Sequence, residues 1–463
     1  MSKYLYGASV QGIQDFIFKT NKLKEIVGAS EIVKDVANEF LEISGYNEKD
    51  EHILLNAAGN IKAVFDSYEE CQKVVLEFSK KIQQKAYGIT ISQAVVEFNG
   101  EPKEFIGVLE TKLKIQRNKP SIPLDLSLNI TKLSPKTAKP MVAKEEDRAT
   151  QQKLQAYQEF LEKNPHNKEF KELQNFSNTK NKIAVIHIDG NGLGELIPKL
   201  KIPLNEFSQK LDYATKEAFK DAKTDTMDIR DVILGGDDVT VICNADDALE
   251  FSKRFLQNFE KNTKELGSNG LTACGGIAYC NEKYPLHYAL SLAEELCSQA
   301  KKHAKNINKN FAPSCMMFHN IQSSNFQSWD KFIEDELTIS NDKEIIRCDF
   351  GPYYLSQEKQ PLLQNFQNSV NAYRCEGSPI SRLRNWMSEL NKSDEYASNL
   401  LQRINTITSQ SNKYNCEIMD RNLEKLYSGL SDDTLIIQKD GHLKTPIYNI
   451  LQIISTTDYK DFV

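Results

Sequence analysis

The chain has 463 residues, of which 40% are apolar and 26% charged, and a formal net charge of −6. At about 100 to 200 residues per domain, this length predicts roughly three units rather than one core. No stretch approaches the ~18 uninterrupted apolar residues of a membrane span, and the net negative charge excludes a protein that coats nucleic acid by general phosphate neutralisation. Met1-Ser2-Lys3-Tyr4 leads directly into strand-like sequence without the apolar core of a signal peptide, so cytoplasmic residence and no membrane partner are expected. Nine cysteines, scattered from Cys71 to Cys416 without a CxxC pair, predict reduced thiols and no zinc ribbon.

Residues 1–110 read strand, helix, strand, strand, helix, strand. The alternating run Tyr4 to Val10 opens the unit, and Ile26, Ala29, Val33, Val36 and Phe40 recur at helical spacing on one face. Two short β-rich runs, Ile53 to Leu55 and Ile61 to Phe65, flank the turn Asn56-Ala57-Ala58-Gly59-Asn60. A helix carrying Cys71, Val74, Phe78 and Ile82 and a strand from Thr90 to Phe98 complete the unit. Residues 111–180 hold 14 Lys and Arg against 8 Asp and Glu, a net of +6, and read as a basic linker with a helical insertion.

The same order returns over residues 181–320. Ile183 to Ile188 is a strand, Phe207, Leu211 and Ala214 mark a helix, and Val232 to Leu234 with Val239 to Ile242 form a hairpin. Asp246 is expected to cap a helix whose stripe is Ala248, Phe251, Phe255 and Phe259. A strand at Leu271 to Tyr279 then precedes a helix from about Leu286 to Lys305. Both units follow the split β-α-β-β-α-β pattern of ferredoxin-like domains, so the predicted class is α+β. Residues 321–463 read as mainly α-helical, with Ser378-Pro379 and Thr445-Pro446 opening helices.

An offset of 178 residues places Gln11-Gly12 on Asp189-Gly190 and Ala57-Ala58-Gly59-Asn60 on Gly235-Gly236-Asp237-Asp238 without a gap. Keeping that spacing between two loops points to duplication. Only the second copy has carboxylates: Asp189, Asp237 and Asp238 stand where the first has Gln11, Gly59 and Asn60. In this topology the end of the first strand and the hairpin turn meet, so the three aspartates converge. Hard oxygen ligands of that kind suit two Mg²⁺ or Mn²⁺ ions, which assist in-line displacement at phosphorus. Gly235 and Gly236 permit an unusual turn beside a triphosphate. Asp189-Gly190-Asn191-Gly192-Leu193-Gly194 is expected to form a nest of N–H groups at a helix N-terminus. Lys301, one turn beyond Cys297, is the expected phosphate contact, ahead of Lys302 and Lys305, and His187 reads as structural.

Gly12-Ile13-Gln14-Asp15-Phe16-Ile17-Phe18 and Lys24-Glu25-Ile26-Val27-Gly28-Ala29-Ser30 resemble the first palm of the CRISPR polymerases, the large subunits of type III CRISPR effector complexes and their stand-alone relatives. His187-Ile188-Asp189-Gly190-Asn191-Gly192, Gly235-Gly236-Asp237-Asp238 and Ala293-Glu294-Glu295-Leu296 to Ala300-Lys301 resemble the second, catalytic palm. The resemblance spans residues 1–320. It implies two palms packed face to face, ATP as substrate and cyclic oligonucleotide second messengers of antiphage defence as products. RNA or effector-complex subunits are implied as activators, and a cyclic-nucleotide-responsive effector as the reader of the product. It also implies that Ser30 and Gly28 contact a second nucleotide. The nuclease domain and cysteine-paired zinc module of larger members have no counterpart in these residues, which favours a compact stand-alone form. A catalytically weak nucleotide- or RNA-binding scaffold is the alternative, and a GGDEF-type cyclase is disfavoured by Asp238-Val239.

Overall fold

The computed structural model describes residues 2–47, 50–57, 59–119, 130–164, 172–197, 200, 202–266, 270–322, 328–341, 344–410 and 416–458. Ala58 and residues 120–129 and 165–171 of the basic segment lie outside the described residues.

The first unit comprises β1 (Lys3–Gln11), the short α1 (Ile13–Ile17), α2 (Leu23–Ser44), β2 (Ile53–Ala57), β3 (Asn60–Phe65), α3 (Tyr68–Lys85) and β4 (Thr90–Phe98). Its sheet runs β2-β3-β1-β4, each neighbour antiparallel. The alternation seen in the sequence becomes two faces. Tyr6 and Ala8 pack against Phe40 and Phe78 of the helices, whereas Leu5 joins Val96, Leu109 and Leu113 on the far side. That far side is covered by α4 (Pro102–Arg117). Ser67 caps α3 by accepting from the Glu70 N–H.

The basic segment supplies the hairpin β5 (Met141–Ala143) and β6 (Glu146–Asp147) and the helix α5 (Arg148–Lys163), which lies along α2. Gly28 makes that crossing possible: a Cβ there would stand 2.7 Å from the Lys153 carbonyl carbon.

The second unit comprises β7 (Lys182–Gly190), the one-turn α6 (Leu193–Leu196), α7 (Leu204–Ala222), β8 (Ile229–Gly235), β9 (Asp238–Asn244), α8 (Ala248–Asn262), β10 (Ala273–Asn281), α9 (Leu286–Ile307) and β11 (Cys315–Asn320). Its sheet continues the same order outward, β11-β10-β7-β9-β8, with the short strand β14 (Tyr353–Tyr354) beyond β11. The central strand β7 is buried on both faces, which is why Ile183 to Ile188 reads as an unbroken apolar run apart from His187. Asp246 does not cap α8. Asp247 occupies the N-cap but its carboxylate accepts from the Asp228 N–H at 3.1 Å rather than from the helix, and the Asp246 carboxylate accepts from Asn178 Nδ2 and the Asp458 N–H, each at 2.8 Å. Tertiary partners in the chain termini of the unit thus outcompete the local cap.

The last third adds α10 (Trp329–Glu336), β12 (Thr338–Ser340), β13 (Ile345–Arg347), β14 (Tyr353–Tyr354), α11 (Leu363–Tyr373), α12 (Ile380–Glu389), α13 (Asp394–Ser409), α14 (Cys416–Leu426), β15 (Ile437–Lys439), β16 (His442–Lys444) and α15 (Ile447–Thr456). Pro379 and Pro446 are N-caps of α12 and α15. The sequence reading placed no strands here, yet a small sheet forms in the order β12-β13-β16-β15, and β14 extends the second unit's sheet. The region is fastened to α9 through His303, which bonds Tyr354 Oη at 2.6 Å and lies 3.3 Å from Asp440.

The two ferredoxin-ordered units share one apolar cluster, in which Ile17, Leu23 and Val27 meet Leu286, Leu290 and Ala293. Polar ties cross beside it: Lys34 to Asp231 at 2.9 Å and Arg230 to Glu31 at 3.3 Å. No helix among the described residues is long and apolar enough to cross a membrane.

Candidate active site

Strand register brings the acidic residues together. Asp189, near the end of β7, is paired across the ladder with Asp238, the first residue of β9. Directly opposed residues in an antiparallel pair have Cβ atoms about 5 Å apart. Gly236 and Asp237 form the turn between β8 and β9, with Gly235 opposite Asp238. Gly236 has φ +62°, a conformation that suits glycine. Gly190 is small for a different reason: a Cβ on it would lie 2.8 Å from the Asp237 Cβ. The Gly190 N–H donates to the Asp237 carbonyl at 3.2 Å, closing the strand end onto the turn.

Helix α7 holds that turn from below. The Thr215 hydroxyl, fully buried, donates to the Gly236 carbonyl at 2.5 Å, and Asp212 Oδ1 accepts from the Gly236 N–H at 3.3 Å. From the other side α9 delivers Lys301, whose Nζ donates to Asp189 Oδ2 and, at 2.7 Å, to the Gly190 carbonyl. The helix comes close enough because Gly276 of β10 has no side chain; a Cβ there would be 2.6 Å from the Cys297 nitrogen and closer still to the Ala293 carbonyl. Lys302 and Lys305 are exposed on the same helix.

The Asp189-to-Gly194 loop departs from the expected phosphate nest. The Gly190 and Asn191 N–H groups are already bonded, to the Asp237 and Thr272 carbonyls, and the helix after Gly192 is a single turn, Leu193–Leu196. Asn191 points inward, donating to Thr272 Oγ1 at 3.0 Å and lying 3.4 Å from Cys274 Sγ, with its Oδ1 buried and unpartnered. It therefore anchors the loop to β10. Leu193 packs beside Gly190 and against the second unit's core. Ser30 is buried between the units, donating to the Val232 carbonyl at 2.5 Å, and Gly28 faces α5 rather than the cleft.

The electrostatics are those of a crowded acidic centre. Burial, followed by the nearby Asp189 charge, pushes the Asp237 and Asp238 carboxyls up to about 7. Asp238 Oδ1 is buried without a hydrogen-bond partner, although more than a third of the side chain is exposed. Glu294 of α9 is also raised to about 7, by burial and then by Asp15 of the first unit. His187, as expected, is a buried structural group. Its Nδ1 is 3.2 Å from Thr240 Oγ1, and burial lowers it to about 4.

Among the described residues no three His, Cys, Asp or Glu side chains converge as a complete metal cage. Mg²⁺ needs none, since it keeps several waters and takes one or two carboxylates plus phosphate oxygens. The orphaned Asp238 oxygen, the mutual repulsion of the aspartates and the Lys301 ammonium drawn to Asp189 all mark a place that attracts positive charge. Beside it, a cleft of about 470 Å³ opens between the units, bordered by Ser30, Asn56, Gly59, Asp212 and Gly235. Its size falls within the range for small-molecule sites. Thr215, Asp212, Thr272 and Gly276 are absent from the sequence analysis, and Glu294 enters it only within the Ala293-Glu294-Glu295-Leu296 segment, without a role. Of the four, Gly276 leaves a trace in the sequence as one of two consecutive glycines inside a predicted strand.

Residues 182–310 match the family model described as Cas10/Cmr2, second palm domain. No curated protein matches the chain. Among solved structures, the chain is similar to the Csm1-Csm4 cassette in complex with cA4, with TM-score 0.58 and 15% identity over 98% of this chain and 70% of that one. It is also similar to the cassette with pppApA (TM-score 0.58, 15% identity, 98% and 69% covered) and with AMPPNP (TM-score 0.56, 15% identity, 98% and 69%). A Csm1-Csm4 subcomplex of the type III-A CRISPR-Csm interference complex is matched at TM-score 0.47 and 17% identity, over 65% of this chain and 53% of that chain. The chain thus spans only 53% to 70% of the length of these solved chains, and at such identities the likeness is one of fold. The family match is confined to one unit: residues 182–310 are similar to the second palm domain of Cas10/Cmr2.

Proposed function

We propose that the chain is a metal-dependent nucleotidyltransferase that condenses ATP into cyclic oligonucleotides. In this reading residues 1–110 and 181–320 are two palms packed face to face, only the second being catalytic. The observation that carries it is the pairing of Asp189 with Asp238, with Asp237 in the adjoining turn and Lys301 bonded to Asp189, inside a domain similar to the second palm of Cas10/Cmr2.

Asp189, Asp237 and Asp238 would hold two divalent cations, Mg²⁺ or Mn²⁺, which supply charge neutralisation at the triphosphate and polarise the reacting phosphate. The protein's own groups do the rest. Lys301, bonded to Asp189 here, would be free to meet the phosphates as a point charge if that carboxylate held a cation. Gly190, Gly235 and Gly236 let backbone approach the nucleotide. Asn191, Thr215 and Asp212 keep the two acidic loops in place. A ribose hydroxyl of one nucleotide attacks the α-phosphorus of another. A new P–O bond forms as the bond to the β-phosphate breaks, pyrophosphate leaves, and the hydroxyl proton passes to solvent. A last intramolecular attack closes the ring.

The solved cassettes are described as complexes with cA4, pppApA and AMPPNP and contain Csm4 beside Csm1. By analogy we infer adenine nucleotides as substrate, a type III effector subunit or RNA as activator, and a cyclic-nucleotide-responsive effector downstream in antiphage defence. The test is incubation of the chain with each nucleoside triphosphate and Mg²⁺ or Mn²⁺, followed by mass spectrometry. Pyrophosphate and a cyclic product are expected from ATP. Identical traces from wild type and Asp237→Asn/Asp238→Asn, with and without added RNA, would leave only the scaffold reading.

A further inference from the structure

Helix α9 carries Lys301 to the acidic centre, yet much of what fixes the helix comes from outside residues 181–320. Its N-cap, Pro285, supplies no side-chain cap, and the Leu286 N–H donates instead to Asn21 Oδ1 of the first unit at 2.9 Å. In mid-helix the fit is tight: Gly276 admits the backbone, and the Cys297 thiol donates to the Cys274 carbonyl at 3.1 Å. Beyond Cys297 the grip changes. The side chains buried there are Ala300 and Ala304, whose methyl groups set the distance to the sheet but make few contacts that resist rotation about the helix axis. Lys302, Lys305 and Asn306 are exposed.

His303 supplies the constraint at this end. It lies two residues past Lys301, about 200° around the helix, so the two side chains face nearly opposite sides. Both ring nitrogens are engaged: Nε2 is 3.3 Å from Asp440 Oδ1 and Nδ1 is 2.6 Å from Tyr354 Oη. A carboxylate only accepts, so Nε2 carries the hydrogen, and in the neutral ring Nδ1 accepts from the Tyr354 hydroxyl. Tyr354 belongs to β14, which pairs with β11 at Cys315 in the sheet that holds Asp189. Asp440 belongs to the β15–β16 hairpin, whose two-residue turn Asp440-Gly441 has both φ values positive, +51° and +79°. The hairpin is itself anchored. Lys439 Nζ, fully buried, bonds Asp440 at 2.5 Å, and Lys444 Nζ lies 3.3 Å from Asp440 and donates to the Asp349 carbonyl at 3.1 Å. Burial alone would raise the Asp440 carboxyl, but the His303 bond and the two ammoniums hold it well below the usual range, so it stays a charged acceptor.

We propose that His303 is a positioning residue: clamped between Asp440 and Tyr354, it fixes the rotation of the last turns of α9 and keeps the Lys301 ammonium on Asp189 and the Gly190 carbonyl. Its part in turnover rests on the nucleotidyl transfer proposed above. The margin is small, because a side chain roughly 6 Å from the helix axis moves by about 1 Å for a rotation of about 10°, which takes the 2.7 Å bond to Gly190 beyond hydrogen-bonding range. The last third, which has no chemical motif of its own, thereby sets the angle at which the second unit presents its cation.

The experiment is acetylation of the full chain with limiting acetic anhydride, without nucleotide or divalent cation, read residue by residue by peptide mass spectrometry. The Lys301 side chain, 19% exposed, is shielded by its partners, whereas Lys305 on the same helix is open. His303→Ala leaves Asp440 with its two lysines and is expected to raise the Lys301 rate at least about fivefold, with Lys305 and the half-buried Lys182 of β7 unchanged. His303→Gln, whose amide can again donate to Asp440, should restore most of the shielding. Equal Lys301 rates in wild type and His303→Ala would overturn the proposal, and so would a rise shared by Lys182, which would mean general loosening. In turnover, His303→Ala should cost about tenfold in wild type and nothing further in a Lys301→Ala background, a coupling that lost stability alone does not produce. Equal losses in both backgrounds would overturn it too. The labelling involves no nucleotide, so it decides this proposal even where wild type forms no product, the result that would sink nucleotidyl transfer itself.

Discussion

The two halves of the duplicated core use one scaffold for opposite electrostatic ends. In each, a strand end, a hairpin turn and a helix-borne cation meet at one sheet edge: Ser9, Asn60 and Arg117 in the first unit, Asp189, Asp238 and Lys301 in the second. In the first set the Ser9 hydroxyl and the Asn60 amide satisfy one another, with Arg117 donating to Ser9. In the second, burial and then the neighbouring Asp189 charge drive the Asp237 and Asp238 carboxyls up to about 7. A self-satisfied centre folds without help, whereas a frustrated one is stabilised by what it binds. The largest expected effect breaks this contrast directly. Asp237→Asn/Asp238→Asn makes the second centre as neutral as the first and should lower product formation by about a thousandfold or more, read as pyrophosphate release. Asn60→Ala in the first unit should leave a measurable rate.

The glycines under the two helices differ in the same instructive way. A Cβ on Gly276 would drive into the backbone of α9 at Ala293 and Cys297, whereas one on Gly7 would meet only the Leu109 side chain, at 2.8 Å. Backbone cannot step aside, but a leucine can change rotamer. Gly276→Ala should therefore cost about 3 kcal/mol of stability, and Gly7→Ala about 1 kcal/mol or less, by chemical denaturation. Equal losses would mean that α9 is seated no more tightly than α4.

Titration sharpens the comparison further. In metal-free protein, Asp237 and Asp238 keep their protons to about pH 7, while in the unfolded chain they release them near 4. Their contribution is fully present below about pH 4 and is lost as pH rises through 7. In EDTA, the unfolding free energy of Asp237→Asn/Asp238→Asn, by chemical denaturation, should thus gain on wild type between pH 5 and pH 8, by about 1 kcal/mol once the exposure of Asp238 is discounted. Mg²⁺ at pH 8 should raise wild type alone. Asn60→Ala carries no titrating group and should shift stability equally at both pH values.

Much of this architecture is legible in the sequence, because strand alternation and the stripes Ile26, Ala29, Val36 and Phe40 or Phe251, Phe255 and Phe259 are local consequences of burial. The acidic turn was found because glycine and aspartate between two apolar runs are a local signal too. What escaped depends on pairing across the chain. Asn60 lies opposite Ser9 whereas Asp238 lies opposite Asp189, and an ungapped offset cannot reveal that two-residue slip of register, so Gln11 was matched to Asp189 where Ser9 belongs. Asn191 has the chemistry to contact a ligand, and only the tertiary neighbours Thr272 and Cys274 turn it inward. The strands of the last third are two or three residues long, too short to show a period.

The smallest effect concerns how each hairpin is tied to its helix. In the second unit the buried Thr215 hydroxyl of α7 donates to the carbonyl of Gly236, the residue before Asp237. In the first, the direction is reversed and the tie lies away from the turn: Asn56 Nδ2 of β2 donates to the Ala37 carbonyl of α2 at 3.3 Å. Thr215→Val keeps the side-chain shape and removes one donor, leaving the Gly236 carbonyl short of a partner, at a cost of about 1 kcal/mol. If the tie orients the acidic turn, turnover should fall by about tenfold. Thr215→Ser, which restores the donor, should recover the rate. A Thr215→Val variant with wild-type turnover and lowered stability would reduce Thr215 to packing, and the two hairpins would then differ only in the charges they carry.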